Sequence, residues 1–144
     1  MIKLRNILTI SMLSICLIAC SGTGTRNLSE VIPVIDQSGE SKIFVLRKTG
    51  YICSACLMNV VLNGEKIGRI GTSEMVVGVP KPGNNALEVK IGGIQGVGLN
   101  KPIVNFNFKK GTNRFYLVKM KAGLVSNKLI LEEISKASWK NIAG

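Results

Sequence analysis

The residues of this chain with the clearest capacity for chemistry are two cysteines three positions apart, Cys53 and Cys56. This spacing is found in disulfides, in thiol–disulfide redox pairs and in metal sites. In an extended strand the two positions lie about 10 Å apart, beyond the roughly 7 Å limit for a disulfide, whereas a turn brings them within reach. We therefore predict a turn between two strands and interpret the pair as a structural disulfide. A reduced pair and a redox or metal role stay open as alternatives.

The residues around this pair give redox or metal chemistry little support. A thioredoxin-like pair needs a βαβ unit with a helix starting beneath the first cysteine, and no such pattern surrounds Cys53. Haem attachment requires a histidine directly after the second cysteine, where Leu57 stands. The chain contains no histidine at all, and Asp36 is its only aspartate. Because histidine is the commonest general base and metal ligand, we expect no enzyme activity, no metal site and no cofactor.

The N-terminus has the features of a secretory signal peptide. Lys3 and Arg5 precede an apolar run over residues 7–18, and a small residue, Ala19, follows it. A basic start, a short apolar segment and a small residue at the cleavage site define such a peptide. A helix that spans a membrane needs about 20 apolar residues, so the sequence predicts a cleaved signal over residues 1–19 instead of a permanent span.

The end of this signal, Leu17-Ile18-Ala19-Cys20, resembles the bacterial lipobox. The resemblance implies cleavage after Ala19 and acylation of Cys20 on its sulfur and its new amine. One acyl chain binds a membrane only reversibly, whereas two or three anchor a protein stably. Ser21, in place of an aspartate, implies by resemblance to enterobacterial sorting an outer-membrane protein that faces the periplasm. An ordinary signal peptide with a chance cysteine is the alternative.

Residues 20–40 are predicted to form the lipidated N-terminus and a flexible tether, because Ser, Gly and Thr dominate them. A short apolar patch at 31–35 contains Pro33, which restricts it to an edge strand. Loss of Lys3 and Arg5 with the signal lowers the formal net charge from +11 to +9. Export and the lack of a basic, aromatic-rich motif argue against nucleic acid as a partner. Lipid head groups and anionic envelope polymers are the expected neighbours of a basic surface.

Residues 41–144 are predicted to form one all-β domain, an antiparallel sandwich of about seven strands. Asn63-Gly64 is a strong hairpin signal between two apolar runs. In the clearest alternation, Val104, Phe106 and Phe108 face inward while Asn105, Asn107 and Lys109 face outward. Short alternating runs separated by turn residues are typical of a sandwich or barrel. The predicted strands lie at residues 43–46, 58–62, 66–70, 75–79, 87–91, 104–108, 115–120 and 128–131.

Two stretches break this alternation. The glycine-rich residues 92–98 lack the Gly-Lys-Ser/Thr and the helix of a phosphate-binding loop, so we interpret them as a flexible loop. Residues 132–142 begin with acids and continue with Lys136 and Lys140, an order that suits the helix dipole. They predict a short C-terminal helix that turns Ile134, Ala137 and Ile142 toward the sheet.

Four motifs follow one another between residues 41 and 135. They are a strand ending in arginine (Ile43-Phe44-Val45-Leu46-Arg47), a hairpin around Asn63-Gly64, the turn Val79-Pro80-Lys81-Pro82-Gly83, and a strand that follows Gly111. In this order they resemble the DUF2846 group of bacterial lipoproteins, domains of unknown function. The resemblance implies a prealbumin-like or Ig-like sandwich, and the group supplies no catalytic residues to transfer.

Together these features predict a membrane-anchored bacterial lipoprotein that serves as a non-enzymatic structural or interaction module of the cell envelope. Its expected partners are membrane lipid, through acylated Cys20, and an unidentified envelope protein or anionic polymer. Two other functions remain open. One is a periplasmic thiol–disulfide redox protein that uses Cys53 and Cys56, and the other is a binder of anionic polymers or lipid head groups.

Overall fold

Short strands and tight turns make up most of the computed structural model, which describes residues 23–24, 41–48, 50 and 52–143. The predicted signal and the patch at 31–35 lie outside the described residues, as does Cys20. The described chain forms eight strands, one α-helix and a 3-10 turn at Ile94–Gly96. The elements are β1 (Ile43–Arg47), β2 (Met58–Leu62), β3 (Glu65–Ile70), β4 (Met75–Gly78), β5 (Gly83–Ile91), β6 (Ile103–Phe108), β7 (Arg114–Lys121), β8 (Lys128–Ile134) and α1 (Lys136–Ala143).

The strands form two four-stranded sheets, which confirms the predicted all-β sandwich. One sheet has the order β4-β1-β7-β8 and the other the order β3-β2-β5-β6. Neighbouring strands are antiparallel apart from β1 and β7, which run parallel with Ile43 opposite Arg114. Each of the eight strands overlaps one of the eight predicted ranges, in agreement with a sandwich of about seven strands.

Alternating apolar residues of the two sheets meet in the main core, as their period of two predicted. In β6, Phe106 and Phe108 are buried, whereas Asn105 and Asn107 are exposed. The predicted register of this strand is therefore correct. Inward residues of β5 follow the same pattern and belong to the same cluster: Leu87, Val89 and Ile91.

All five residues of β1 are buried, because both faces of this strand are covered. Ile43 and Val45 belong to the main core between the sheets. Phe44 and Leu46 point to the other side, into a second cluster that includes Trp139 of α1. This double burial explains the unbroken apolar sequence of the strand, which lies inside its sheet between β4 and β7.

The predicted start of the C-terminal helix is wrong. Glu132 and Ile134 belong to β8, where they pair with Leu117 and Phe115 of β7. The helix begins at Lys136, after Ser135, whose Oγ accepts a 3.1 Å hydrogen bond from the Ser138 N–H and so caps the first turn.

The residues that α1 packs on the sheet also differ from the prediction. Trp139 is the buried residue of the helix and stands 5.4 Å from the Phe115 ring, centroid to centroid. Ile142 packs against the same cluster, as predicted, whereas Ala137 is exposed. The helix therefore covers the outer face of the β1–β7 sheet mainly with its tryptophan.

The hairpin between β2 and β3 confirms the turn signal at Asn63-Gly64. Both residues have positive φ angles, 53° and 84°, which a two-residue type I′ turn requires. The Asn63 Oδ1 also accepts a hydrogen bond of 2.9 Å from the Ala86 N–H, so the turn is fixed to the neighbouring strand.

Strand register places four connections at one end of the sandwich: residues 48–57, 71–74, 92–102 and 122–127. In one sheet, Met58 at the start of β2 pairs with both Ile70 and Ile91, the last residues of β3 and β5. In the other, the end of β1 lies beside the start of β4 and the last half of β7. Because the first connection contains Cys53 and Cys56, we call this end of the molecule the cysteine end.

Candidate functional site

Cys53 and Cys56 lie in a turn at the cysteine end and are joined by a disulfide, as the sequence predicted. Their Cα atoms are 5.0 Å apart, and the Cys56 N–H donates a 2.9 Å hydrogen bond to the Cys53 carbonyl. Cys53 has a positive φ of 58°, which residues other than glycine seldom adopt outside turns. The turn thus supplies the short separation that a strand could not.

A buried arginine supports this turn from the inside of the domain. The Arg47 side chain is 4% exposed. Its Nη2 donates a 2.5 Å hydrogen bond to the Cys53 carbonyl, and its Nη1 donates one to the Cys56 carbonyl. Hydrogen bonds from an ionised donor are the stronger class, so Arg47 fixes the backbone of both cysteines at once.

Glu74 supplies the opposite charge near Arg47. Burial lowers the pKa of Arg47, and the Glu74 carboxylate opposes that shift. Glu74 is itself 1% exposed, and its Oε2 accepts a 2.7 Å hydrogen bond from the Gly71 N–H. Hydrogen bonds make a buried charge tolerable; Arg47 donates to two carbonyls, and Glu74 accepts from a backbone N–H.

Further hydrogen bonds join the cysteine turn, the end of β1 and the β3–β4 loop. The Arg47 N–H donates to the Glu74 carbonyl at 3.0 Å, and the Ser73 N–H donates to the Arg47 carbonyl at 3.1 Å. The Thr72 Oγ1 donates to the Ser54 carbonyl at 2.9 Å. The disulfide is therefore one part of a cross-linked corner of the sandwich.

Sequence reasoning placed the two cysteines correctly and missed the residues that hold them. In the sequence Arg47 is only the basic residue that ends an apolar strand. The signal that could have found it is that the strand is apolar on both faces, since an arginine within such a strand is buried and needs hydrogen-bonding partners. Glu74 carries no comparable signal, because its burial depends on how the β3–β4 loop folds back.

A basic groove of about 360 Å³ lies beside this corner. Arg47, Lys48 and Lys119 contribute its charge, and Ile52 and Met120 contribute apolar surface. Lys119 is engaged in an ion pair with Glu132 of β8, which reduces the charge available to an anion.

A second groove, of about 500 Å³, lies toward the other end of the β5–β6 pair and is lined by amide side chains. Two of the amides bond each other, since the Asn107 Nδ2 donates to the Asn84 Oδ1 at 3.1 Å. The described residues hold no group of three or more His, Cys, Asp or Glu side chains that could bind a metal.

The N-terminal segment reaches the domain at Thr23, three residues after Cys20. The Thr23 N–H donates to the Arg69 carbonyl at 2.8 Å, and the Arg69 N–H donates to the Thr23 Oγ1 at 2.8 Å. Gly24 follows so closely that an added Cβ would stand 2.9 Å from the Glu74 Cβ. These two residues lie against the sandwich, beside the corner that Arg47 and Glu74 build.

Comparison with protein-family models, with curated proteins and with solved structures gave no match. No helix within the described parts of the chain has the length and apolar character to cross a membrane.

Replacing both cysteines with serine is expected to lower the free energy of unfolding by about 2 kcal/mol or less, because the disulfide closes a very short loop. Arg47 still holds both carbonyls in the variant, so the fold should persist. Chemical denaturation of the wild type and of the Cys53→Ser/Cys56→Ser variant measures the loss. A variant that does not fold would show that the disulfide supports more than its own turn.

Proposed function

We propose that the chain is a cell-envelope lipoprotein, anchored through acylated Cys20, whose sandwich is a non-enzymatic interaction module. The observation that carries this proposal is the lipobox-like sequence Leu17-Ile18-Ala19-Cys20. The contact of Thr23 and Gly24 with β3 and β4 supports it, because it defines where the chain close to the proposed anchor meets the domain. A lipid on Cys20 then holds the sandwich in a preferred orientation instead of at the end of a long free tether.

The hydrogen bonds of the two buried charged residues support a structural role for the corner of the sandwich around Cys53 and Cys56. Buried ionisable groups in a cleft often mark an active site. Here Arg47 is bonded to the two cysteine carbonyls and Glu74 to the Gly71 N–H. Both charges therefore stabilise backbone that would otherwise lack partners, which favours a module that binds over one that reacts.

A redox function is the second candidate, and one observation favours it. A nearby guanidinium lowers the pKa of a thiol and so promotes thiol–disulfide exchange. Arg47 lies within hydrogen-bonding distance of both cysteine backbones. Against this, neither cysteine is fully exposed: Cys56 is 6% exposed, and the half-buried Cys53 packs against the main core, whereas exchange requires a reagent to reach a sulfur atom.

The reduction potential of the Cys53–Cys56 bond separates these two candidates. A structural bond is expected below about −300 mV, whereas catalytic dithiols lie at about −120 to −270 mV. Equilibration of the protein with redox buffers, followed by alkylation of free thiols, measures the potential. A value in the catalytic range, together with a Cys53 thiol that reacts well below pH 7, would replace the structural role with the redox one.

Anchoring is tested by Cys20→Ser. The variant is expected to lose its acyl chains and to accumulate as an unprocessed precursor, or as a soluble periplasmic form if another peptidase cleaves it. Cys16→Ser is the matched control, because Cys16 lies within the apolar run and leaves with the signal. Fractionation of cells that express each variant gives the result. A Cys20→Ser protein that is processed and membrane-bound like the Cys16→Ser control would refute the lipoprotein proposal.

A further inference from the structure

We propose that the cysteine end faces the lipid bilayer and inserts the tips of two loops into the interface of an anionic membrane. This inference rests on the proposed function, since it names the surface with which the anchored domain contacts its membrane. The loops are the β5–β6 connection, residues 92–102, and the β7–β8 connection, residues 122–127.

The first observation is an unusual exposure of apolar side chains on these loops. The four most exposed large apolar residues of the described chain are Leu124 at 108%, Val125 at 100%, Ile94 at 91% and Val97 at 79%. All four lie on the two loops, although the strands between them bury nearly every apolar residue that faces the core. Exposed apolar residues concentrated at one place mark a contact surface.

The second observation is that the β5–β6 loop is joined to the start of β8, the strand that follows the β7–β8 loop, although the two belong to different sheets. The Asn100 Nδ2 donates to the Leu129 carbonyl at 2.7 Å, and the Leu129 N–H donates to the Asn100 Oδ1 at 2.8 Å. The β5–β6 loop is also ordered internally, since the Val97 N–H donates to the Ile94 carbonyl at 3.2 Å. Both loops therefore leave the same end of the sandwich, and Asn100 holds the β5–β6 loop beside the base of the β7–β8 hairpin.

The third observation is the sign of the charge beside them. Residues 92–102 and 121–128 contain three lysines, Lys101, Lys121 and Lys128, and no acidic residue. Lys121 and Lys128 face each other across the base of the β7–β8 hairpin, and all three are exposed. Apolar tips flanked by lysines suit a bilayer interface, where the tips enter the head-group boundary and the ammonium groups meet anionic lipid.

The fourth observation is the place where the anchored segment meets the domain. Thr23 is hydrogen-bonded to the backbone of Arg69, the penultimate residue of β3. Strand β3 ends at the cysteine end. Three residues of extended chain span at most about 10 Å, so the bilayer that the proposed anchor enters must approach the domain on the side of Thr23. The lipid anchor and the apolar loops then meet the same bilayer.

The experiment places an environment-sensitive fluorophore on either end of the acylated protein. Val125→Cys puts the label on the β7–β8 loop. Val79→Cys is the matched control, since Val79 is also an exposed valine, at 71%, and follows the end of β4 that pairs with the start of β1. Each labelled protein is reconstituted in phosphatidylglycerol-containing vesicles with and without a nitroxide-labelled lipid. Intact mass confirms acylation before measurement.

The emission maximum of the label at position 125 is expected to shift to shorter wavelength when vesicles are added. The nitroxide lipid should quench this label several-fold more than the label at position 79. Leu124→Glu in the Val125→Cys protein should remove most of that difference, because a carboxylate beside the label opposes insertion. Equal, weak quenching at both positions in an acylated protein would overturn the inference and leave the lipoprotein proposal standing.

Two other outcomes are informative. If the emission of the label at position 125 shifts without vesicles, and the shift grows with protein concentration, the surface binds a second copy of the chain and the proposal is overturned. A protein whose mass shows no acyl groups would contradict the proposed function. The quenching of Val125 relative to Val79 would still decide whether the loops enter the bilayer.

Discussion

Replacing Phe106 with alanine is expected to lower the free energy of unfolding by about 3–5 kcal/mol. Phe106 is 7% exposed and lies in the main core. Its ring contacts two other aromatic rings, Tyr116 at 5.7 Å and Phe108 at 6.2 Å between centroids. The Arg114 guanidinium stands 5.3 Å from the ring centre, so the substitution removes a cation–π contact as well as buried apolar surface.

The controls for this prediction are the two asparagines that flank Phe106. Asn105 and Asn107 are exposed on the other face of β6, and exposed substitutions usually change stability by less than about 0.5 kcal/mol. Chemical denaturation of Phe106→Ala, Asn105→Ala and Asn107→Ala gives the comparison. An asparagine variant as unstable as the phenylalanine variant would mean that the register of β6 is wrong.

Replacing Arg47 with methionine is expected to cost about 3–6 kcal/mol, because two hydrogen bonds from a charged donor are lost and each is worth about 1.5–3 kcal/mol. The variant leaves the Cys53 and Cys56 carbonyls without their guanidinium donors. Methionine keeps much of the buried volume, so the loss reports the polar contacts more than a cavity.

Lys48→Met is the matched control for Arg47→Met, because Lys48 is the next basic residue and is exposed. It should change stability by less than about 0.5 kcal/mol. Amide exchange should also show faster opening of the cysteine turn in Arg47→Met alone. If Arg47→Met is as stable as Lys48→Met, the arginine is not the support of this corner, and its place near the cysteines would favour the redox candidate.

The strands could be predicted from the sequence because each one carries its own local pattern. The alternation around Phe106 and the Asn63-Gly64 turn both depend on neighbours in the chain, and both are confirmed. The start of α1 could not be read in this way. Glu132 and Glu133 look like the acids of a first helical turn, but the pairing of Glu132 with Leu117 on β7 extends β8 instead.

The cysteine corner was predictable only in part, since its contacts depend on the fold. A turn at Cys53 and Cys56 follows from the reach of a disulfide. The hydrogen bonds of Arg47 to that turn require β1 to end directly beneath it, and the burial of Glu74 requires the β3–β4 loop to close over the same corner. The parallel pairing of β1 with β7, which puts the apolar β7–β8 loop at this end, is a long-range contact without a local signal.

The mass of the N-terminal peptide of the mature protein tests the central proposal most directly. We predict a mature chain that begins at Cys20 and carries acyl groups on the cysteine sulfur and on its amine, with residues 1–19 removed. Purification from a bacterial membrane, proteolysis and mass spectrometry of the terminal peptide give the answer. A membrane-bound chain in which Cys20 is unmodified, or one that retains residues 1–19, would contradict the anchored lipoprotein.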